Sequence, residues 1–204
     1  GTPDEFAEVA EKICAAPIDL LEVDISCPNV SIEYGDPFAY SAAAIEAITK
    51  KIKARSRVPI IMKLSPNAWN IAELARAAEA AGADALTCVN TVSGMTIDVR
   101  ARRPVLTNKQ GGVSGPALFP IALNCVYQVY QAVKIPIIGT GGVTTGEEAL
   151  AMIMAGATLI GIGSAVYYRG ADVFQKICQE MEEIMREEKI KNLDEIRGCA
   201  HNDM

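Results

Sequence analysis

The feature that most constrains this chain is the strict alternation of helix-like and strand-like segments along its 204 residues. The strand-like segments are short apolar runs, and the segments between them carry apolar residues at helical spacing. Such alternation predicts a parallel sheet, because parallel neighbours need a crossover connection. A doubly wound sheet and a barrel are both possible. The predicted strands are 19–25, 58–64, 85–90, 135–139 and 159–163, and the predicted helices are 2–16, 45–52, 70–82, 116–133, 145–156 and a last one from 172.

Capping patterns and loop composition mark where these elements begin and where long connections lie. A threonine or asparagine precedes a glutamate by three residues at Thr2–Glu5, Asn70–Glu73 and Thr145–Glu148. This spacing is typical of helix starts. Residues 26–40 and the 25 or so residues after Asn90 carry neither period, so we expect two long loops with functional roles.

Polar residues interrupt strands that are otherwise suited to burial. Glu22 and Asp24 alternate with apolar residues on the first strand, and Lys63 lies near the end of the second. A barrel explains all three as inward-facing residues near the catalytic rim. Lys63 is either paired with Glu22 or Asp24, or directed at a ligand, and the sequence leaves both open.

A cysteine and an asparagine, Cys27 and Asn29, follow the first strand in the segment Asp24-Ile25-Ser26-Cys27-Pro28-Asn29. Chemistry in parallel α/β folds lies at this carboxyl end of the strands. A cysteine there can act as a base or nucleophile when its surroundings favour the thiolate. The alternative is a small buried apolar residue.

Glycine-rich turns occur in the last part of the chain, at 111–115, 139–142 and 161–164. Glycine lets backbone N–H groups approach a phosphate, and a helix beginning after the turn adds a favourable dipole. Two of these turns follow the last two strands, where barrels bind phosphate. The segment Asn90-Thr91 offers polar groups to a heterocycle. A dinucleotide fingerprint is absent from the first strand–helix turn.

Composition narrows the range of partners. The net charge is −6, which disfavours nucleic acid and anionic membranes as partners. The six cysteines form no C-x-x-C pair and the one histidine is His201, so we expect no metal site and no serine–histidine catalysis. We expect a cytoplasmic protein with its cysteines reduced.

Six segments together resemble class 1 dihydroorotate dehydrogenases. They are I-S-C-P-N at 25–29, M-K-L-S-P-N at 62–67, V-N-T at 89–91, G-G-V-S-G-P-A at 111–117, I-I-G-T-G-G-V at 137–143 and A-G-A-x-x-I-x-I-G-S at 155–164. The resemblance implies a (β/α)8 TIM barrel that binds FMN. Residues 1–204 would then be the C-terminal portion of this single domain, with the last five β/α units, and three strands would precede them.

The resemblance also implies roles for individual residues. Cys27 matches the catalytic base, and Lys63 matches the lysine that contacts the flavin and stabilises its reduced form. Asp24 stands where the family usually has an asparagine that contacts both flavin and substrate. The loop from Cys27 to about Tyr40 resembles a mobile lid. Further FMN contacts match Val89, Gly115, Gly141, Gly142, Gly163 and Ser164, and substrate contacts match Asn29, Asn90 and Thr91.

The implied reaction is the oxidation of dihydroorotate to orotate in pyrimidine biosynthesis, with hydride transfer to FMN. The G-G-V-S-G-P-A and D-V-R-A-R-R-P-V-L segments resemble the subfamily that passes electrons to a separate FAD and iron–sulfur subunit, with NAD as final acceptor. We also expect a homo-oligomer. Two alternatives stay open: a flavin enzyme acting on a pyrimidine base, which Asp24 favours, and a phosphate-binding barrel without redox activity.

Overall fold

The computed structural model of the protein describes residues 2–25 and 38–202. Cys27, Asn29 and most of the predicted lid therefore lie outside the described residues. The helices are α1 (Pro3–Ile13), α2 (Ala42–Arg55), α3 (Ile71–Ala80), α4 (Phe119–Tyr130), α5 (Gly146–Met154), α6 (Ala165–Arg169) and α7 (Val173–Glu187). The strands are β1 (Leu21–Asp24), β2 (Ile60–Leu64), β3 (Ala85–Cys88), β4 (Val92–Gly94), β5 (Ile97–Asp98), β6 (Arg103–Pro104), β7 (Gly111–Val113), β8 (Ile137–Thr140) and β9 (Leu159–Gly161). Short 3-10 helices cover Phe38–Tyr40, Pro116–Leu118, Leu193–Glu195 and Cys199–His201.

The main sheet has five parallel strands in the order β1-β2-β3-β8-β9, which confirms the predicted parallel α/β arrangement. The order follows the chain without reversal, whereas a doubly wound sheet reverses at a switch point. The main helices pack in the same succession, from α1 on α2 through to α5 on α7. This parallel α/β arrangement is consistent with a TIM-barrel-like fold. Among the described residues, β1 and β9 each pair with one strand only.

The core lies between the strands and the helix layer. On β1, Leu21 and Val23 are buried while Glu22 and Asp24 face the other way, as the alternation predicts. The predicted apolar face of α2 is likewise fully buried, at Ile45, Ile48 and Ile52. The opposite face of the sheet, here called the inner face, carries both polar and apolar side chains, namely Glu22, Asp24, Lys63, Thr87, Ile61 and Ile138.

The predicted loop after Asn90 contains two short antiparallel ribbons. Strand β4 pairs with β7, and β5 pairs with β6 inside the same connection. The sequence prediction of an unstructured functional loop was therefore incomplete. Strands of two or three residues are too short to show an alternating pattern, so periodicity cannot detect them.

Two of the predicted helix caps are present as expected. Thr2 and Thr145 each form a full capping box with the glutamate three residues later. Asn70 precedes α3 but makes no side-chain hydrogen bond to its backbone. Its amide instead donates to the Glu73 carboxylate at 2.9 Å, so this capping prediction was wrong in detail. Helix α6 was not predicted, because five residues give no readable period.

Within the described ranges, no helix is both long enough and apolar enough to span a bilayer.

The burial of the core predicts that an Ile→Ala substitution lowers the free energy of unfolding by different amounts at different positions. Ile48 on α2 is 0% exposed, whereas Ile121 on α4 is 42% exposed. Ile48→Ala should lower the free energy of unfolding by about 2–5 kcal/mol, because it removes buried methyl groups and leaves a cavity. Urea unfolding followed by circular dichroism measures the loss.

Ile121→Ala is the matched control, since it makes the same chemical change on a partly exposed helix face. We expect it to cost less than about 1 kcal/mol. Equal losses for the two variants would contradict the proposed packing of α2 against the sheet.

Candidate active site

The carboxyl ends of the parallel strands form one polar rim. Strand pairing places Asp24 opposite Lys63, Cys88 opposite Gly139, and Thr140 opposite Gly161. A cleft of about 160 Å³ opens at this rim. Its lining contains every described residue that the sequence predicted for the site except Asp24, together with three that were not predicted. The lining residues are Lys63, Val89, Asn90, Thr91, Ser114, Gly115, Leu118, Thr140, Gly141, Gly142, Gly163 and Ser164.

The three unpredicted lining residues are Ser114, Leu118 and Thr140. Ser114 and Thr140 lie inside the glycine-rich segments, so their neighbours were the signal that could have identified them. Thr140 donates a hydrogen bond from Oγ1 to the Gly161 carbonyl at 2.9 Å, which fastens the ends of β8 and β9 together. Leu118 is an ordinary buried residue of a short helix and carries no sequence signal.

Lys63 makes an ion pair with Glu22 and not with Asp24. Its Nζ lies 3.1 Å from Glu22 Oε1, and the two side chains are 25% and 39% exposed. The second carboxylate oxygen of Glu22 accepts a hydrogen bond of 2.6 Å from Thr87 Oγ1. The pairing that the sequence left open is thus formed with Glu22. Since Lys63 also lines the cleft, it faces the cleft and a carboxylate together.

Asp24 acts on the site by holding the side chain of Asn90. Asn90 Nδ2 donates to both Asp24 carboxylate oxygens at 3.2 Å, and Asn90 Oδ1 accepts from the Thr91 N–H at 2.7 Å. The backbone N–H of Asn90 donates to Leu64 O at 2.9 Å. These contacts fix which side of the Asn90 amide faces each neighbour. Asp24 therefore orients a predicted substrate contact, although it does not line the cleft.

Asn67 fixes the loop that follows β3, a role that sequence reasoning did not assign. Its Nδ2 donates to Ser65 Oγ at 3.0 Å and to Thr91 O at 3.1 Å, and its Oδ1 accepts from the Ser93 N–H at 2.8 Å. The side chain thus joins the end of β2 to the segment carrying Thr91. Its place in the M-K-L-S-P-N segment was the available signal.

The glycine turns are close-packed and expose backbone donors. Gly142 has φ +78°, and a Cβ there would lie 2.6 Å from Phe119 N and 2.7 Å from Gly115 O. At Gly163 an added Cβ would meet nothing within 4 Å. Across residues 2–25 and 38–202, the N–H groups of Gly142, Gly163 and Ser164 have no protein acceptor. These donors suit an anion such as a phosphate.

Two of the first N–H groups of α5 are already hydrogen-bonded within the protein. The Gly146 N–H donates to Glu180 Oε2 at 2.7 Å, and the Glu148 N–H donates to Thr145 Oγ1 at 3.2 Å. Arg169 binds the same Glu180 carboxylate at 2.5 Å and, through this hydrogen bond, holds the pKa of Glu180 below its usual range. Because these N–H groups are occupied, an anion would be bound by the turn before the helix.

The buried cysteines are poor candidates for a base. Burial raises the pKa of the Cys125 thiol to about 11, and burial raises the pKa of Cys88 further still. Both thiols therefore stay protonated near neutral pH. In the part of the chain that the structure describes, no three His, Cys, Asp or Glu side chains cluster to hold a metal ion.

Comparisons with known proteins show which proteins this chain is similar to. The chain is 43% identical over 198 residues to the dihydroorotate dehydrogenase B (NAD(+)) catalytic subunit of Methanocaldococcus jannaschii, covering 97% of this chain and 64% of that protein. The subunit of the same name from Alkaliphilus oremlandii is 44% identical over 197 residues, covering 97% of this chain and 65% of the relative. The subunit from Lachnoclostridium phytofermentans is 46% identical over 196 residues, covering 96% of this chain and 65% of the relative.

The chain thus spans slightly under two thirds of the length of these curated relatives. The sequence model of one family, dihydroorotate dehydrogenase, matches residues 1–185. Its match takes in the rim of the sheet, the cleft and both glycine turns at the ends of β8 and β9. The chain belongs to the dihydroorotate dehydrogenase family.

Proposed function

We propose that this chain forms part of the catalytic subunit of a dihydroorotate dehydrogenase that oxidises dihydroorotate to orotate in pyrimidine biosynthesis, with FMN as cofactor. The observation that carries the proposal is that the predicted contact residues meet in one place. Residues from five separate segments, chosen from sequence as flavin or substrate contacts, line one cleft at the rim of the sheet. Family membership supports the same reaction class.

We further propose that the five strands belong to an eight-stranded barrel, as residues 1–204 of one FMN-binding domain. The strand order without reversal and the single succession of helices support this arrangement. A cleft of about 160 Å³ is also smaller than the roughly 300 Å³ or more of a typical ligand pocket. In a closed barrel, further strands would complete its wall.

The described residues fit FMN at two points. The N–H groups of Gly142, Gly163 and Ser164 would bind its phosphate, because they are grouped and have no acceptor among the described residues. Lys63 would place a positive charge beside the ring, from the inner face of β2. When bound, the flavin supplies a hydride acceptor, which no amino-acid side chain provides.

In the proposed reaction, a protein side chain removes the proton from the substrate. In our proposal the Cys27 thiolate removes a proton from a carbon of dihydroorotate, while the adjacent carbon loses a hydride and a double bond forms. Asn29, Asn90 and Thr91 would bind the substrate ring. The contacts from Asp24 and Asn67 would hold Asn90 and Thr91 in place for that task.

A second candidate is a flavin enzyme acting on an uncharged pyrimidine base. The Asp24 carboxylate beside Asn90 favours it, because a negative charge repels the carboxylate of orotate. Dihydrouracil and dihydroorotate, offered separately to the flavin-loaded protein, distinguish the two reactions.

Partners and location follow from the same proposal. The relatives' names contain NAD(+) and the term catalytic subunit, which supports a separate electron-transfer subunit. We propose that this subunit carries FAD and an iron–sulfur cluster. We propose in addition a homo-oligomer in the cytoplasm.

The assignment of Cys27 as base predicts a large kinetic effect. Cys27→Ala should leave FMN bound but slow flavin reduction by dihydroorotate by about 10²-fold or more, the usual scale of general-base catalysis. Anaerobic stopped-flow absorbance of the flavin measures the rate.

Cys178→Ala is the matched control, since Cys178 is an exposed thiol on α7 away from the rim. It should reduce the flavin at the wild-type rate. If Cys27→Ala also reacts at that rate, Cys27 is not the base.

The phosphate assignment predicts that two glycine substitutions fail in different ways. Gly163→Ala should keep the free energy of unfolding within about 0.5 kcal/mol, because its Cβ meets no protein atom within 4 Å. It should nevertheless raise the dissociation constant for FMN roughly tenfold, about 1.4 kcal/mol, because the Cβ occupies the phosphate's side of the turn. Fluorescence titration of the apoprotein with FMN measures binding.

Gly142→Ala should instead destabilise the fold by about 1–3 kcal/mol, since alanine is strained at a positive φ and its Cβ would collide with backbone. Wild-type FMN affinity in Gly163→Ala would place the phosphate elsewhere.

A further inference from the structure

Three consecutive strands contribute to one polar chain on the inner face of the sheet. Glu22 comes from β1, Lys63 from β2 and Thr87 from β3. The Glu22 carboxylate receives Lys63 Nζ at 3.1 Å on one oxygen and Thr87 Oγ1 at 2.6 Å on the other. Glu22 therefore reaches across β2, and its two oxygens are held by different strands.

The strand register shows which of these polar side chains lies nearer the rim. Glu22 pairs with Ile61, two residues before Lys63, whereas Lys63 pairs with Thr87. Glu22 thus lies one layer further from the rim than Lys63. Lys63 lines the cleft and Glu22 does not. The ammonium group accordingly has a carboxylate on its inner side and the cleft on its outer side.

The contact with Thr87 makes the pair more than an isolated surface contact. Thr87 is 2% exposed, whereas the side chains of Lys63 and Glu22 are 25% and 39% exposed. Exposed pairs contribute little because water screens them and their side chains move. Here the hydroxyl of Thr87 fixes the carboxylate, and the carboxylate fixes the ammonium group. The remaining charge that Lys63 presents to the cleft is set by Glu22.

We propose that Glu22 is a positioning residue for Lys63 and sets the reduction potential of the bound flavin through it. The inference rests on the proposed function, in which Lys63 lies beside the flavin ring. A positive charge favours the negative charge that the ring gains on reduction, and a neighbouring carboxylate offsets part of that effect. Glu22 thereby holds the potential below the value that Lys63 alone would give.

The test is Glu22→Gln in the flavin-loaded full-length protein. Glutamine keeps the shape and can still accept from Lys63, while the Thr87 hydroxyl can accept from the new amide. Only the negative charge is lost. The reduced-to-oxidised ratio at fixed potential should increase roughly tenfold, which for two electrons is a rise of about 30 mV. Spectroelectrochemical titration measures it.

The pair Glu46–Lys50 on α2 provides the matched control. Lys50 Nζ lies 2.5 Å from Glu46 Oε1 on an exposed helix face. Glu46→Gln therefore makes the same change away from the cleft. The potential should not move. Lys63→Met should lower the potential, and in that background most of the shift caused by Glu22→Gln should disappear.

The outcomes separate this inference from the proposed function. A protein that takes up no FMN overturns both. If FMN binds and dihydroorotate reduces it, an unchanged potential in Glu22→Gln overturns the role of Glu22 alone. A full shift that persists in the Lys63→Met background would also overturn it, because Glu22 would then act without Lys63.

Discussion

The candidate site depends on the in-register parallel pairing of five strands. Parallel pairing brings every carboxyl end to the same edge, so residues far apart in sequence meet there without long-range loops. Asp24 and Lys63 become neighbours on β1 and β2, and Thr140 and Gly161 become neighbours on β8 and β9. A slip of one residue on β2 would turn Lys63 into the helix layer and disconnect it from Glu22.

Two physically different kinds of group share this rim. Near the end of β2 the groups are side chains that hold one another, as in the ion pair of Glu22 with Lys63 and its hydrogen bond from the Thr87 hydroxyl. At the ends of β8 and β9 they are backbone N–H groups exposed by glycines. The first kind suits a group whose charge changes during the reaction, and the second suits a group of constant charge. A flavin mononucleotide has one of each, in its ring and its phosphate.

The alternation of helices and strands predicted the sheet, because it is a local signal. The individual residues of the cleft were predicted mainly from the resemblance to a known family, with support from the glycine turns. Sequence reasoning could not decide the partner of Lys63, since Glu22 and Asp24 lie on the same face of β1. The register places Asp24 opposite Lys63, but the ammonium group reaches Glu22 instead. Sequence reasoning also missed the ribbons after Asn90, whose strands are too short to show a period. Asn67 also escaped notice, because its contacts with Thr91 and Ser93 join segments more than twenty residues apart in the chain.

A crystal structure of the protein bound to FMN tests the central claim most directly. The account predicts phosphate oxygens within about 3.2 Å of the N–H groups of Gly142, Gly163 and Ser164, the usual range of such hydrogen bonds. It also predicts the flavin ring on the Lys63 side of the cleft. A phosphate bound away from both glycine turns, or a ring that does not approach Lys63, would contradict it.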